Sequence, residues 1–251
     1  TYLQHISTYK PKTVKRKLAS LKALFNYYDF EHDDFLNPFR KLRIRFKEPY
    51  VLPTVMTCNE VKEILKYLYK LRADNPDTGG YAYKAQTRDI AVVELLFATG
   101  IRVSELCELS CDAVDLKQAT IKVFGKGSKE RVIQICSVEV LKILRQYQRL
   151  FAPSKCFFIN RLGNRLSSQS VRLLIKRCRE EIGIGKKITP HTFRHTFATL
   201  LLEEDVDIKY IQNLLGHSSI TTTQIYTHVN MNKQKKILSS KHPRKKMEME
   251  E

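Results

Sequence analysis

The chain has 251 residues, of which 43% are hydrophobic and 28% charged, and its formal net charge is +18. This mixture excludes a disordered polyelectrolyte, because enough apolar residues are present to bury a core, and 9 Gly and 8 Pro are too few for a collagen-like or low-complexity chain. The most apolar stretch, residues 90–98, contains Glu94 and is much shorter than the roughly 18 residues that a membrane span needs.

The first 48 residues are strongly basic and predict an amphipathic helix with a basic outer face. Apolar and aromatic residues recur at helical spacing between Leu18 and Tyr28. A solvated basic face is the plainer interpretation, but the nearby tyrosines favour nucleic acid. The side chains expected to contact DNA phosphates here are Lys12, Lys15, Arg16, Lys22, Arg43 and Arg45. Residues 39–53, which follow Asn37 and Pro38, predict a linker.

Residues 49–251 predict a second, larger domain that is mainly helical. Thr57 and Glu60 stand at the positions of a capping box, and a loop is expected over residues 73–86. Two β-rich runs joined by a glycine-rich turn, residues 119–124 and 131–135, predict an antiparallel hairpin. Helices are expected over residues 61–71, 89–99, 101–109, 138–150, 168–182, 190–203, 208–215 and 221–238. The fold class is therefore mainly α with a small antiparallel β-hairpin or sheet (α+β).

Four segments carry polar residues that packing alone does not require. In the first, Arg102 and Glu105 are three residues apart on a helix, so the carboxylate can orient the guanidinium toward a phosphate. A surface ion pair of little energetic value is the plainer alternative. In the second, Lys126 lies in the hairpin turn, whose spacing differs from that of a P-loop. An exposed turn lysine is the alternative there.

The third and fourth segments add histidines and a tyrosine. His191 and Arg194 share a helix face, and His195 is four residues from His191. The glutamate of a zinc-protease motif is missing between the histidines, so no metal site is expected. His217 follows the end of a helix, and Tyr226 stands nine residues further on.

Together these segments offer the groups that a phosphoryl transfer needs. A tyrosine can attack phosphorus and form a covalent ester, with a base to take its proton. Guanidiniums stabilise the charge of the transition state, and a lysine can protonate the leaving oxygen. Because no acidic cluster is present to hold Mg²⁺, the set predicts chemistry without a metal or any other cofactor.

These residues carry a resemblance to a known family. Their order is Arg…Lys…His-x-x-Arg…His…Tyr, matched by Arg102, Lys126, His191, Arg194, His217 and Tyr226. In this order the sequence resembles the tyrosine site-specific recombinases of the phage integrase and Xer type, over about residues 52–236. The resemblance implies a catalytic domain, residues 49–251, preceded by part of a helical core-binding domain, residues 1–48. That domain is usually longer in the family, so further helices are expected before this segment.

The resemblance also implies a role for each matched residue. Tyr226 would form a 3′-phosphotyrosyl link, Arg102 and Arg194 would hold the phosphate, and Lys126 would be the general acid. His191 would act as the base toward the tyrosine. His217 would hydrogen-bond the phosphate, and Glu105 would support the helix and its arginine. Lys129 and Arg131, beside the hairpin turn, are further expected phosphate contacts.

The implied enzyme cuts and rejoins double-stranded DNA at an inverted-repeat site through a Holliday junction, without metal or ATP. Its partners would be DNA and three further copies of itself, with a C-terminal tail, about residues 229–244, docking on a neighbour. No membrane partner is expected. The six cysteines include no CxxC pair and are interpreted as reduced thiols, which predicts a cytoplasmic protein.

Three alternatives belong to other classes. A catalytically silent DNA-binding regulator would not need Lys126 or Tyr226, and the complete set of six residues argues against it. A type IB topoisomerase shares much of the chemistry, but the short length and the Xer-like motifs argue against it. A basic structural or membrane-surface protein would leave all four motifs unexplained. The DNA target and the biological role of the recombination stay open from the sequence.

Overall fold

The structure, a computed structural model, describes residues 8–32, 34–40, 52–125 and 130–216. The chain divides into two compact units, residues 1–51 and 52–251. Several sequence predictions lie outside the described residues: the domain boundary at residues 48/49, the helix over residues 221–238, the C-terminal tail, and the positions Arg43, Arg45, Lys126, Lys129, His217 and Tyr226.

The described part of the first unit is built on one helix, α1 (Pro11–Glu31). Proline fits its first turn, where the missing N–H would have no partner in the helix. Val14 and Leu18 are buried on its inner face, and Phe39 packs against them. The helix predicted around Leu18 is confirmed.

The described part of the second unit contains seven α-helices and three strands. The helices are α2 (Cys58–Ala73), α3 (Tyr81–Thr99), α4 (Val103–Glu108), α5 (Val138–Phe151), α6 (Ser168–Glu181), α7 (Pro190–Glu203) and α8 (Ile208–Leu215). The strands are β1 (Val114–Asp115), β2 (Thr120–Phe124) and β3 (Glu130–Gln134), antiparallel in the order β1-β2-β3. The predicted fold class, mainly α with a small antiparallel sheet, is confirmed.

Helix α3 is the centre of the core. It packs against α2, α5 and α7. Its second half, from Ile90, is buried on nearly every side, which explains why residues 90–98 are almost all apolar. The predicted capping box before α2 is confirmed: Thr57 N–H donates to Glu60 at 2.7 Å, and Glu60 N–H donates to the Thr57 hydroxyl at 3.2 Å. Helix α3 is capped by Gly100, and Arg102 follows two residues later, so the buried end of this helix fixes the position of the segment that carries Arg102.

The loop predicted over residues 73–86 is wrong in its second half, because α3 begins at Tyr81. The Asp77 carboxylate accepts hydrogen bonds from the N–H groups of Gly79 and Gly80, so the turn closes early. Strand β1 was not predicted, since two residues are too short to show an alternating pattern.

Side chains along β2 and β3 alternate between the buried and the exposed face of the hairpin. Ile121, Val123 and Ile133 are buried, and Arg131 stands directly opposite Val123 on the neighbouring strand. Arg131 therefore belongs to the face of the sheet that turns toward the core. No helix within the described ranges is both long enough and apolar enough to cross a membrane.

Candidate active site

Arg102 is positioned by the short connection between α3 and α4. It is the residue before α4, and its backbone N–H donates to Glu105 Oε2 at 2.8 Å. Its guanidinium also donates to Glu105 Oε1 at 2.7 Å and to the Gly216 carbonyl at 3.2 Å. The Arg102 side chain is 30% exposed, so it is less enclosed than that of Glu105.

Glu105 is the acidic partner of this region, and only 4% of its side chain is exposed. It accepts four hydrogen bonds, two from Arg102 and two from the Arg131 guanidinium at 3.0 and 2.8 Å. Burial opposes ionisation, but the hydrogen bonds and charge of Arg131, together with the hydrogen bonds of Arg102, outweigh it and lower the pKa of Glu105. The carboxylate is therefore ionised at neutral pH.

Arg194 is carried by α7, which begins with a second capping arrangement: Thr192 N–H donates to the Thr189 hydroxyl at 3.3 Å. The Arg194 guanidinium donates to the Gly100 carbonyl at 2.8 Å and to the Leu215 carbonyl at 2.6 Å. Only 4% of the residue is exposed. Arg194 therefore ties the ends of α3 and α8 together.

The last carbonyls of α8 gather three guanidiniums. Arg131 Nε donates to Leu214 at 3.0 Å, while Arg194 and Arg102 donate to the next two carbonyls along the chain. The final carbonyls of a helix lack partners within it and carry the negative end of the helix dipole, so they attract cations. The chain continues from this point toward His217 and Tyr226.

Two glycines make this gathering sterically possible. Gly100 (φ +60°) and Gly216 (φ +63°) both adopt the left-handed conformation that ends a helix. A Cβ at Gly100 would lie 2.5 Å from Phe197, and a Cβ at Gly216 would lie 2.7 Å from the Arg131 guanidinium. Gly100 therefore needs glycine for space as well as for conformation, whereas a side chain at Gly216 would be strained by its φ and would displace the Arg131 guanidinium.

His191 lies in the first turn of α7 and is exposed as a residue. Partial desolvation of its ring, followed by the positive charges of Arg194, Arg102 and Arg172, lowers its pKa. The imidazole is therefore neutral at pH 7 and able to accept a proton. His195, one turn further into α7, is more enclosed, and burial with the charges of His191 and Arg194 lowers its pKa to about 4.

The structure thus brings together four of the residues singled out in the sequence: Arg102, Glu105, His191 and Arg194. Arg131 joins them, but its guanidinium is engaged by Glu105 and Leu214. The phosphate contact expected of Arg131 stays a prediction. Lys12, Lys15, Arg16 and Lys22 are exposed on α1, and their contacts with DNA also stay predictions.

Sequence reasoning missed two features of this site. The first is the pairing of Arg131 with Glu105; its signal was the alternation that places Arg131 on the same strand face as the buried Ile133. The second is Arg172 on α6, whose charge acts on His191 and which lies in no motif. Within the described ranges, no three His, Cys, Asp or Glu side chains come together as a metal site would require.

Sequence comparisons find related proteins over most of the chain. Residues 54–233 match the phage integrase family. A tyrosine recombinase of Agathobacter rectalis is 50% identical over 241 residues, which cover 94% of this chain and 78% of that protein. The tyrosine recombinase XerC of Thermodesulfovibrio yellowstonii is 38% identical over 241 residues, covering 92% of this chain and 76% of that protein.

Solved structures give the same result. The XerA recombinase matches with a TM-score of 0.62 and 32% identity, over 77% of this chain and 67% of that one. The XerH recombinase bound to a palindromic difH substrate matches with a TM-score of 0.77 over 94% of this chain and 69% of that one, and its 22% identity makes it a likeness of fold.

The chain belongs to the phage integrase family. It is a tyrosine recombinase, an enzyme that cleaves and rejoins DNA, and the predictions of family, fold class and enzyme class are confirmed.

Replacing Gly100 with Ala is expected to destabilise the second unit much more than replacing Gly163. Both have positive φ, but a Cβ at Gly163 meets nothing within 4 Å, whereas one at Gly100 meets Phe197 and Leu215. We expect Gly163→Ala to cost about 1 kcal/mol and Gly100→Ala about 3 kcal/mol or more, measured by urea unfolding. Equal losses in the two variants would contradict the tight approach of α7 and α8 to Gly100.

Proposed function

We propose that the protein is a site-specific DNA recombinase, or integrase, that works through a 3′-phosphotyrosyl intermediate on Tyr226 and a Holliday junction, without metal or ATP. The observation that carries this proposal is the gathering of Arg102 and Arg194 at the end of α8. Tyr226 follows the last residue of that helix end, Gly216, by ten positions. The proposal places this nucleophile on the segment that follows α8 and assigns the scissile phosphate to the guanidiniums of Arg102 and Arg194.

The proposed chemical step uses one group for each task. The Tyr226 hydroxyl oxygen bonds to the scissile phosphorus while His191 takes its proton. The bond from phosphorus to the 5′ oxygen breaks, and Lys126 gives that oxygen a proton. Rejoining runs the same step in reverse with a different 5′ hydroxyl. Because the phosphotyrosyl ester keeps the energy of the broken DNA ester bond, no external energy source is needed.

The charge balance of the described residues supports phosphate binding. Three guanidiniums, those of Arg102, Arg131 and Arg194, are offset by one carboxylate, that of Glu105, and by the partial negative charge at the end of α8. The positive excess favours the extra negative charge that builds on phosphorus in the transition state. The lowered pKa of His191 keeps its imidazole neutral and available as a base near pH 7.

We further propose double-stranded DNA with an inverted-repeat site as the substrate, and a tetramer on DNA as the working assembly. The solved structure of the XerH recombinase on a palindromic difH substrate supports the first of these. His217 would hydrogen-bond the phosphate, and residues 229–244 would dock on a neighbouring copy. A DNA substrate of this kind implies work in the cytoplasm of a bacterial cell.

The covalent step has a direct test. We expect the wild-type protein to form an adduct that survives a denaturing gel on nicked duplexes tiling the genomic sequence around its own coding region, in EDTA. Tyr226→Phe should form none, because the attacking oxygen is gone, whereas Tyr210→Phe, which alters a tyrosine 69% exposed on α8, should react normally. Adduct from Tyr226→Phe, or a bound wild-type complex that never reacts, would contradict the proposal.

The phosphate contacts proposed for α1 have a separate test. Each phosphate neutralised on B-DNA contributes about −0.9 to the slope of log affinity against log salt. We expect the double variant Lys12→Gln/Lys15→Gln to reduce the steepness by about 1.8 on a mixed-sequence duplex. Lys66→Gln, on α2 and paired with Glu63, removes a charge outside the proposed contacts and should leave the slope unchanged. An unchanged slope in the double variant would contradict the contacts.

A further inference from the structure

Arg131 lies at the centre of the arginine cluster, yet its guanidinium is turned inward. It is on the buried face of β3, and 13% of its side chain is exposed. Its two terminal nitrogens donate to the two oxygens of Glu105. This bidentate geometry fixes the plane of the guanidinium relative to the plane of the carboxylate. Its Nε donates to the Leu214 carbonyl at 3.0 Å.

Each of these contacts reaches a different part of the site. Through Glu105, Arg131 fixes the acceptor that holds the backbone N–H and the guanidinium of Arg102. Through Leu214, it holds the end of α8. Its guanidinium also lies against Gly216, where an added Cβ would come within 2.7 Å of it. Arg131 thereby connects the arginine that binds phosphate to the helix end from which Tyr226 follows.

Resting on the proposed function, we infer that Arg131 is a positioning residue for the cleavage step: it holds Arg102 through Glu105 and the end of α8 through Leu214, and it does not bind a DNA phosphate. A lysine cannot replace it in this role. An ammonium is a single point of charge, so it cannot contact both carboxylate oxygens in the plane and also reach Leu214.

The test compares binding with chemistry in the full chain. The variants are Arg131→Gln and Arg131→Lys. The matched control is Arg145→Gln, because Arg145 also donates to a backbone carbonyl, that of Leu116 at 2.8 Å, but has no contact with Glu105. The readouts are the salt slope of binding to a mixed-sequence duplex and the single-turnover rate constant of adduct formation on the nicked genomic duplexes. The unfolding temperature and the final yield of adduct are measured alongside.

We expect both Arg131 variants to bind with the wild-type affinity and salt slope and to form adduct at least about tenfold more slowly, since a displacement of about 1 Å in a reacting group can cost about 100-fold. Arg145→Gln should react at the wild-type rate. If Arg131→Gln does not fold, Arg131→Lys, which keeps the charge, decides the matter alone.

Three results would overturn the inference while leaving the proposed function intact. One is a salt slope that falls by about 0.9 in Arg131→Gln and returns in Arg131→Lys, as a phosphate contact requires. Another is a loss of adduct yield and unfolding temperature with an unchanged rate constant, as a purely structural role requires. The third is a wild-type rate in both variants. A wild-type protein that binds but forms no adduct would overturn the proposed function, and this inference with it.

Discussion

The negative charge of a buried carboxylate needs positively charged partners, and in this protein the buried carboxylate is that of Glu105. Its side chain is 4% exposed, and leaving such a charge unpaired would cost several kcal/mol. Arg102 and Arg131 stabilise the charge by donating four hydrogen bonds to the carboxylate. Because these two arginines come from the start of α4 and from β3, satisfying one carboxylate also fixes the sheet against the helical core at the place where the chemistry is proposed.

The same arginines, with Arg194, also satisfy the end of α8. A helix terminus needs partners for its last carbonyls, and here three guanidiniums donate to them. Gly100 and Gly216 allow this by ending α3 and α8 in the left-handed conformation, which leaves room for side chains to approach the backbone. The cluster keeps more positive than negative charge. Its polar groups are therefore hydrogen-bonded within the fold, and its remaining positive charge can still attract a phosphate.

Much of this arrangement was visible in the sequence because its causes are local. The capping box at Thr57, the hairpin strands, and the spacing of Arg102 from Glu105 each depend on residues close together in the chain. The start of α3 was missed because Asp77 closes its turn through side-chain hydrogen bonds that composition does not reveal. The contacts of Arg131 with Leu214 and of Arg194 with Gly100 join residues 83 and 94 positions apart, and only the packed fold brings them together.

Arg131 and Glu105 are expected to be strongly coupled, and a double-mutant cycle in the free energy of unfolding measures this coupling most directly. The variants are Arg131→Gln, Glu105→Gln and their combination, with the exposed pair Lys66 and Glu63 as the reference cycle. We predict a coupling of about 2 kcal/mol or more for the buried pair and at most about 0.5 kcal/mol for the exposed pair. Additive losses at Arg131 and Glu105, within about 0.5 kcal/mol, would contradict the account.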